Sequence, residues 1–133
     1  MTPAKMADLH ARCFETPRPW SEAEFTALIA DPAIRTTSQT HGFALVREVM
    51  DEAELLTIAV DPNQRRQGIA SDLINKMVAK LTATKLFLEV AQNNHGAIAF
   101  YKEHCFKQIA DRPNYYRHPN GSRIDALIFE KHL

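Results

Sequence analysis

Three features of the sequence could do chemistry: a basic turn with a glycine, a glutamate inside an apolar run, and a tyrosine that follows it. The turn, RRQGIA, occupies residues 65–70 and comes directly after a mostly apolar stretch. Glu89 lies in the run KLFLEV, and Tyr101 ends the stretch AIAFY. A carboxylate in apolar surroundings can take a proton and a phenol can give one, so the two side chains suit acid–base catalysis. A carboxylate that reaches solvent and a tyrosine that only packs are the alternatives.

The patterns around the basic turn predict a strand, a tight turn and a helix. Residues 55–60 form a short apolar run with β-branched residues, which indicates a buried strand, and Pro62 ends it. Apolar residues then recur every three or four positions over residues 69–81, which predicts an amphipathic helix. The first N–H groups of such a helix have no partner within it, and Gly68 lets a ligand come close to the backbone. The turn therefore suits a pyrophosphate, with a plain strand–helix connection as the alternative.

The remaining patterns predict a mixed α/β fold. Because one crossover helix joins the strands at 55–60 and 85–90, we expect these two strands to be parallel and central. The strands before residue 60 form an antiparallel meander. The expected order is a helix at 4–14, a helix between the Ser21 cap and Asp31, strands at 34–39, 43–50 and 55–60, the helix at 69–81, a strand at 85–90, a helix capped by Asn94, a strand at 106–109, an irregular segment at 110–123 and a strand at 124–130.

Trp20 stands at the start of the second helix. Ser21 and Glu24 have the spacing of a capping box there. A large apolar residue just before the cap favours a hydrophobic staple, with a substrate wall as the alternative.

Composition limits the possible classes of protein. A chain of 133 residues with 45% hydrophobic content predicts one domain, residues 1–133, with a sizeable core. Sixteen basic residues balance sixteen acidic ones, which argues against a general nucleic-acid or membrane binder. No apolar run approaches the ~20 residues of a membrane span and no secretion signal is evident, so a cytoplasmic location is expected. The two cysteines and six histidines lack metal-ligand spacing, so no metal is expected.

The turn RRQGIA resembles the Arg/Gln-x-x-Gly-x-Gly/Ala signature of the GNAT superfamily of N-acetyltransferases. Further shared features are the strand end IAVDP, the strand FLEV, the helix AIAFY, the loop NYY and the terminal strand DALI. The resemblance covers nearly the whole chain from Trp20. More narrowly, it extends to bacterial enzymes that acetylate the N-terminal alanine of a small-subunit ribosomal protein. It implies the acyl-CoA N-acyltransferase fold, in which helices flank a mixed sheet whose parallel middle strands are splayed.

The resemblance also implies roles for individual residues. Glu89 would be the general base and Tyr101 the general acid for direct transfer from acetyl-CoA to an amine, without an acyl-enzyme intermediate. The residues implied to hold acetyl-CoA are Ile58, Ala59, Val60, Arg65, Arg66, Gln67, Gly68, Ile69, Ala70, Ser71 and Asn94. Those implied to contact the acceptor are Trp20, Asn114, Tyr115 and Tyr116. The expected partners are acetyl-CoA and a ribosomal-protein N-terminus or other amine, without nucleic acid or membrane, and the expected state is a monomer or weak homodimer.

Three departures from the family pattern bear on these expectations. Cys105 stands where the family has a glycine, and because cysteine does not readily adopt positive φ, we expect a reshaped helix exit. Ala91 replaces an arginine that often follows the Glu-Val pair. Only residues 1–5 could supply the family's first strand. Acetylation of a lysine or a small-molecule amine, a catalytically silent acyl-CoA-binding module and a scaffold without ligand are the alternative functions.

Overall fold

Four helices and six strands make up the chain. The computed structural model describes every residue from Met1 to Leu133. The elements are α1 (Pro3–Cys13), α2 (Glu22–Ala30), β1 (Ile34–Gln39), β2 (Gly42–Val49), β3 (Glu52–Val60), α3 (Ile69–Ala79), β4 (Lys85–Ala91), α4 (His95–Glu103), β5 (Lys107–Arg117) and β6 (Arg123–His132), with a 3-10 turn at Pro62–Gln64. No helix has both the length and the apolar character needed to cross a membrane. The predicted mixed α/β class is confirmed.

All six strands form one sheet in the order β1-β2-β3-β4-β6-β5. The pair β3–β4 is parallel and every other pair is antiparallel, as the single crossover helix predicts. The parallel pairing runs only from Glu52 opposite Lys85 to Leu55 opposite Leu88. Beyond these residues β3 and β4 continue without pairing, so the two middle strands are splayed.

A β-bulge lies in β3 where this splay begins. Val46 of β2 pairs with Leu55 of β3, and its neighbour Leu45 pairs with Thr57. Leu56 of β3 therefore has no partner on β2. One extra residue reverses which face of the sheet the following side chains point to. Leu55 therefore packs in the core beneath α3 and α4, while Ala59, two residues after Thr57, packs in the core beneath α1 and α2.

The two faces of the sheet carry separate hydrophobic cores. The α3 and α4 face holds the larger one, which includes Ile74, Met77, Leu88, Tyr101, Phe106 and Phe129. The α1 and α2 face holds Met6, Leu9, Phe25, Ile34, Phe43, Leu45 and Ala59. Gly42 lets α3 lie close to the sheet, since a Cβ there would stand 2.9 Å from the Ala59 carbonyl oxygen and 3.1 Å from Leu73 Cδ1.

The irregular segment predicted for residues 110–123 is wrong over most of its length, because β5 continues to Arg117. β5 is an edge strand, so one side of its backbone has no neighbouring strand. Pro113 also lies within a register shift between Arg112 and Tyr116, and its missing N–H is therefore tolerated. Its residues are almost all exposed, so they show no alternation of polar and apolar side chains that would reveal a strand. Residues 1–5 do not form a strand, because Pro3 already lies in the helix that Thr2 caps.

The expected reshaping of the α4 exit is also wrong. Cys105 takes φ 68°, the left-handed conformation typical of a glycine there. The N–H of Phe106 donates to the Tyr101 carbonyl at 3.0 Å, and the N–H of Cys105 donates to the Lys102 carbonyl at 3.1 Å. These two bonds are those of a Schellman motif, and the Tyr101 and Phe106 rings supply its usual apolar contact, 5.6 Å apart.

Candidate active site

A cavity of about 1170 Å³ occupies the gap between the splayed strands. Its walls come from α1 and the loop after it, from the unpaired end of β3, from the turn before α3, from the end of β4, from α4 and from β5. A volume of this size can hold a large cofactor together with part of a second substrate. The failure of β3 and β4 to pair thus creates the site.

The basic turn forms one end of this cavity. Arg66 and Gly68 have φ angles of 65° and 75°, and Gly68 is the N-cap of α3 without any side-chain hydrogen bond to the helix. A Cβ at Gly68 would meet no atom within 4 Å. The first N–H groups of α3 are therefore uncapped and open, and Arg65 and Arg66 add positive charge on the cavity wall. This end of the cavity is built to receive an anion.

Two residues of the turn do not line the cavity. Gln67 turns its amide to Gln64, with Nε2 donating to Oε1 at 3.1 Å. The side chain of Ile69 is buried beside Gly42, so Ile69 can offer a ligand only its backbone N–H. Ala70 and Ser71 do line the cavity, although the Ser71 hydroxyl is already hydrogen-bonded to Nε2 of His104 at 2.9 Å.

The open edge of β3 forms the middle of the cavity. The N–H of Asp61 donates to the His41 carbonyl on the β2 side, and backbone groups alternate along a strand, so those of Ala59 also point to β2. The N–H and C=O groups of Ile58 and Val60 point to the unpaired side. One of these acceptors is occupied, since Cys13 Sγ–H donates to the Val60 carbonyl at 3.3 Å. An extended ligand could add to the sheet along Ile58 and Val60.

Asn94 stands at the start of α4 on the cavity wall. Its side-chain oxygen accepts from the Ala97 N–H at 3.2 Å, which caps the helix. The oxygen is thus used by the fold, and the amide nitrogen is the group left to donate to a ligand.

Glu89 and Tyr101 reach the cavity from opposite faces of the sheet. Glu89 alternates with the core residues Leu88 and Val90 and so points to the α1 and α2 face, where its Oε1 lies 3.2 Å from Nη1 of Arg112. Tyr101 belongs to the core beneath α4, and burial raises the pKa of its phenol, which keeps it protonated. The splay between β3 and β4 lets both side chains line one cavity.

Three of the four residues predicted to contact the acceptor lie on the wall of the cavity. Trp20, Tyr115 and Tyr116 line it, and the two tyrosine rings meet edge to face at 5.1 Å. Burial, followed by the charge of Glu89, raises the pKa of Tyr116. Asn114 lies off the wall, with φ 57° and its N–H donating to Oδ1 of Asp125.

Trp20 forms the hydrophobic staple and also lies on the cavity wall. Its ring lies 5.6 Å from that of Phe25 in the first turn of α2, as a hydrophobic staple requires, and it also lines the cavity. The backbone N–H of Trp20 donates to Nδ1 of His10 at 3.0 Å, and the predicted capping box between Ser21 and Glu24 is present.

Four further residues of the site were not foreseen from sequence. His10, Cys13 and Thr16 line the cavity, and Oγ1 of Thr16 is a buried hydroxyl without a hydrogen-bond partner. Arg112 reaches Glu89 from β5. None of them belongs to a motif, and they come together only because α1 and the β5–β6 hairpin fold over the same end of the sheet.

An uncapped helix N-terminus, an open strand edge and a carboxylate–phenol pair around one cavity suit a group-transfer enzyme with a phosphate-bearing donor. Residues 4–106 match the sequence model of the acetyltransferase (GNAT) family. The chain belongs to that family, and it is an acetyl-CoA-dependent N-acetyltransferase. The family and the enzyme class predicted from sequence are confirmed.

Relatives and solved structures agree with this membership. The chain is 40% identical over 94 residues to the ribosomal protein bS18-alanine N-acetyltransferase of Haemophilus ducreyi, a match that covers 68% of this chain and 65% of the relative. It is 36% identical over 117 residues to the Escherichia coli enzyme of the same name, a match that covers 83% of this chain and 78% of the relative. The crystal structure of the Escherichia coli ribosomal-protein-S18-alanine N-acetyltransferase gives a TM-score of 0.85 at 33% identity, covering 98% and 86%. Arabidopsis thaliana NAA60 in complex with acetyl-CoA shares the fold, with a TM-score of 0.80 at 18% identity, covering 98% and 93%.

Proposed function

We propose that this protein transfers the acetyl group of acetyl-CoA to the α-amine of a protein N-terminus, the N-terminal alanine of ribosomal protein bS18. The observation that carries this proposal is the identity of 36–40% to enzymes named for that reaction. The continuous six-stranded sheet supports treating residues 1–133 as one acetyltransferase domain. A ribosomal-protein acceptor would place the reaction in the cytoplasm.

Acetyl-CoA would lie across the splay. Its pyrophosphate would accept hydrogen bonds from the uncapped N–H groups at the start of α3, close to Arg65 and Arg66. Its pantetheine arm would extend the sheet along Ile58 and Val60, with the Asn94 amide as a further donor. This placement would bring the thioester into the gap between the strands, on the cavity wall that Glu89 and Tyr101 line.

The acceptor would enter from the end lined by Trp20, Tyr115 and Tyr116. Glu89 takes a proton from the α-ammonium group, and the nitrogen lone pair then forms the C–N bond at the acetyl carbonyl carbon. The C–S bond breaks, and sulfur receives a proton from Tyr101. The Tyr101 phenolate regains a proton when the new amide nitrogen loses its own, and the proton taken by Glu89 passes to solvent. The products are the N-acetyl peptide, the free thiol and one proton.

The protonation states agree with these roles. Burial raises the pKa of Tyr101 and keeps it protonated, and the same scarcity of water would raise the pKa of the departing thiol in the same direction, so the thiolate would remain able to take the phenol's proton. An α-amine with a pKa of ~8 is easier to deprotonate than a lysine with a pKa of ~10.4, an advantage of about 3 kcal/mol. A single carboxylate such as Glu89 suffices for an N-terminus.

The test measures thiol release from acetyl-CoA with four acceptors: an alanine-starting peptide from the N-terminus of bS18, the same peptide with a blocked N-terminus, a lysine peptide and spermidine. The expected result is turnover of the free alanine peptide alone. Turnover of lysine or spermidine instead would leave the enzyme class standing and refute the acceptor. Acetyl-CoA binding without turnover of any acceptor would favour a silent binding module.

A further inference from the structure

Arg112 is the one cation that pairs with Glu89. Nη1 of Arg112 lies 3.2 Å from Oε1 of Glu89. The sheet register accounts for the contact: Glu89 is opposite Ile128 of β6, Ile128 is opposite Ala110 of β5, and Arg112 is two residues further along the same face. The arginine thus reaches diagonally across β6 to the carboxylate.

The guanidinium is itself held in place. Its Cζ lies 5.3 Å from the centre of the Tyr115 ring, within cation–π range. The cavity that Glu89 lines is also lined by the Tyr116 phenol on β5, the Glu54 carboxylate on β3 and the Tyr101 phenol on α4. Tyr116 and Tyr101 are neutral and Glu54 is acidic, so Arg112 supplies the positive charge.

We propose that Arg112 is a positioning residue: it holds one oxygen of the Glu89 carboxylate and leaves the other for the acceptor amine. This inference rests on the proposed function, in which Glu89 takes the proton of that amine. The Glu89 carboxylate accepts no hydrogen bond from another group of the protein, so its flexible side chain depends on the ion pair for a defined orientation. Arginine stays charged at every pH at which the protein is folded, so this orientation does not change with pH.

Stability alone does not account for the pair. Half of the Arg112 side chain is exposed (51%), and exposed ion pairs contribute little to folding. A misplaced catalytic group, in contrast, lowers the rate strongly without changing how the donor binds. The two roles therefore predict different outcomes for the same variant.

The test compares the steady-state kinetics of Arg112→Met, Arg112→Lys and the control Arg123→Met with wild type on the bS18 peptide. Arg123 is an exposed arginine on the same hairpin without an ion pair. We expect Arg112→Met to lower kcat by about 10- to 100-fold while KM for acetyl-CoA stays within about twofold. Arg112→Lys should restore part of the loss, because it keeps the charge without the planar fork. Arg123→Met should behave as wild type, and all variants should keep the wild-type denaturation midpoint.

The double variant tests whether Arg112 acts through Glu89. In a Glu89→Gln background, Arg112→Met should change the remaining rate by less than about twofold, since there is no carboxylate left to position. An undiminished kcat for Arg112→Met, or an equal loss in both backgrounds, would overturn the inference while leaving Glu89 as the base. Full turnover by Glu89→Gln alone would instead refute the base, and the inference with it.

Discussion

Leu55 and Leu88 form the last residue pair between the two parallel strands β3 and β4. The bulge at Leu56 follows at once, and the backbone of Ile58 and Val60 is then left facing a cavity instead of a neighbouring strand. A sheet normally pairs such groups, and an unpaired edge binds extended chains. The cavity proposed to hold the donor is therefore created by interrupted pairing, with the bulge at the point of interruption.

A substitution of Gly68 tests the proposed anion site at the start of α3. Gly68→Val should weaken acetyl-CoA binding by about 10- to 100-fold, because its side chain would occupy the open space over the uncapped N–H groups and disturb one or two charge-assisted hydrogen bonds. Isothermal titration calorimetry measures the change. The matched control is Gly121→Val, which has a similar positive φ (88°) and open surroundings but lies in the β5–β6 hairpin. Unchanged affinity in Gly68→Val would leave the turn a plain connection.

Cys105 carries backbone strain that a glycine would remove. Because it holds φ 68° in the Schellman motif, Cys105→Gly should raise the free energy of unfolding by about 1 kcal/mol. Cys105→Ala keeps the unfavourable conformation and should give no such gain. Urea denaturation at neutral pH compares the two variants. Equal stability of the glycine and alanine variants would show that φ at this position costs little.

His10 makes stability depend on pH. Nδ1 of His10 accepts from the backbone N–H of Trp20, so Nε2 carries the hydrogen and donates to Thr57 Oγ1. Burial lowers the pKa of the ring from 6.5 to about 4. Between these two values the unfolded chain binds more protons than the folded one. The His10 contribution to stability is therefore complete above pH 6.5 and is lost as pH falls toward 4, a change on the order of 3 kcal/mol.

An NMR titration of the His10 ring measures this pKa directly. The His10→Gln variant is the control, since its stability should lack this part of the pH dependence. A ring that titrates at pH 6 or above would show that water reaches His10 in the folded protein.

The sequence predicts the helices, strands and turns of the site better than the strand register and the contacts between distant side chains. The turn at 65–70, the parallel middle pair and the placing of Glu89 and Tyr101 follow from local periodicity and one crossover helix. The bulge at Leu56 leaves no mark in the sequence, because it depends on the register between two strands. β5 was missed beyond residue 109 because an exposed edge strand needs no alternating pattern, and the Arg112–Glu89 pair was missed with it.

Cys105 shows a different limit. From the residue type alone, a cysteine argues against the left-handed conformation at the helix exit. The motif forms nonetheless, since the bonds from Phe106 to Tyr101 and from Cys105 to Lys102, together with the apolar contact between two buried rings, outweigh a local penalty of about 1 kcal/mol. Tertiary packing, and not the local preference of cysteine, therefore determines the conformation of Cys105.

Tyr101, the proposed general acid, and Tyr116, a proposed acceptor-wall residue, lie on different elements around the cavity. Burial raises the pKa of both phenols and both line the cavity, so their titration behaviour cannot distinguish them. Only Tyr101 lies on α4, across the splay from Glu89, where the departing sulfur would stand. Tyr101→Phe should therefore lower kcat by about 10²- to 10⁴-fold with acetyl-CoA affinity unchanged.

Tyr116→Phe is the matched control for Tyr101→Phe, since it also removes one phenolic hydroxyl, but from the proposed acceptor wall. It should alter KM for the peptide more than kcat, because a wall residue contributes to binding in the ground state and the transition state alike. Steady-state kinetics on the alanine peptide, with the acetyl-CoA dissociation constant measured separately, compares the two. A loss of only about twofold in Tyr101→Phe would reduce Tyr101 to a packing residue, and a much larger loss in Tyr116→Phe would move the proton donor to β5.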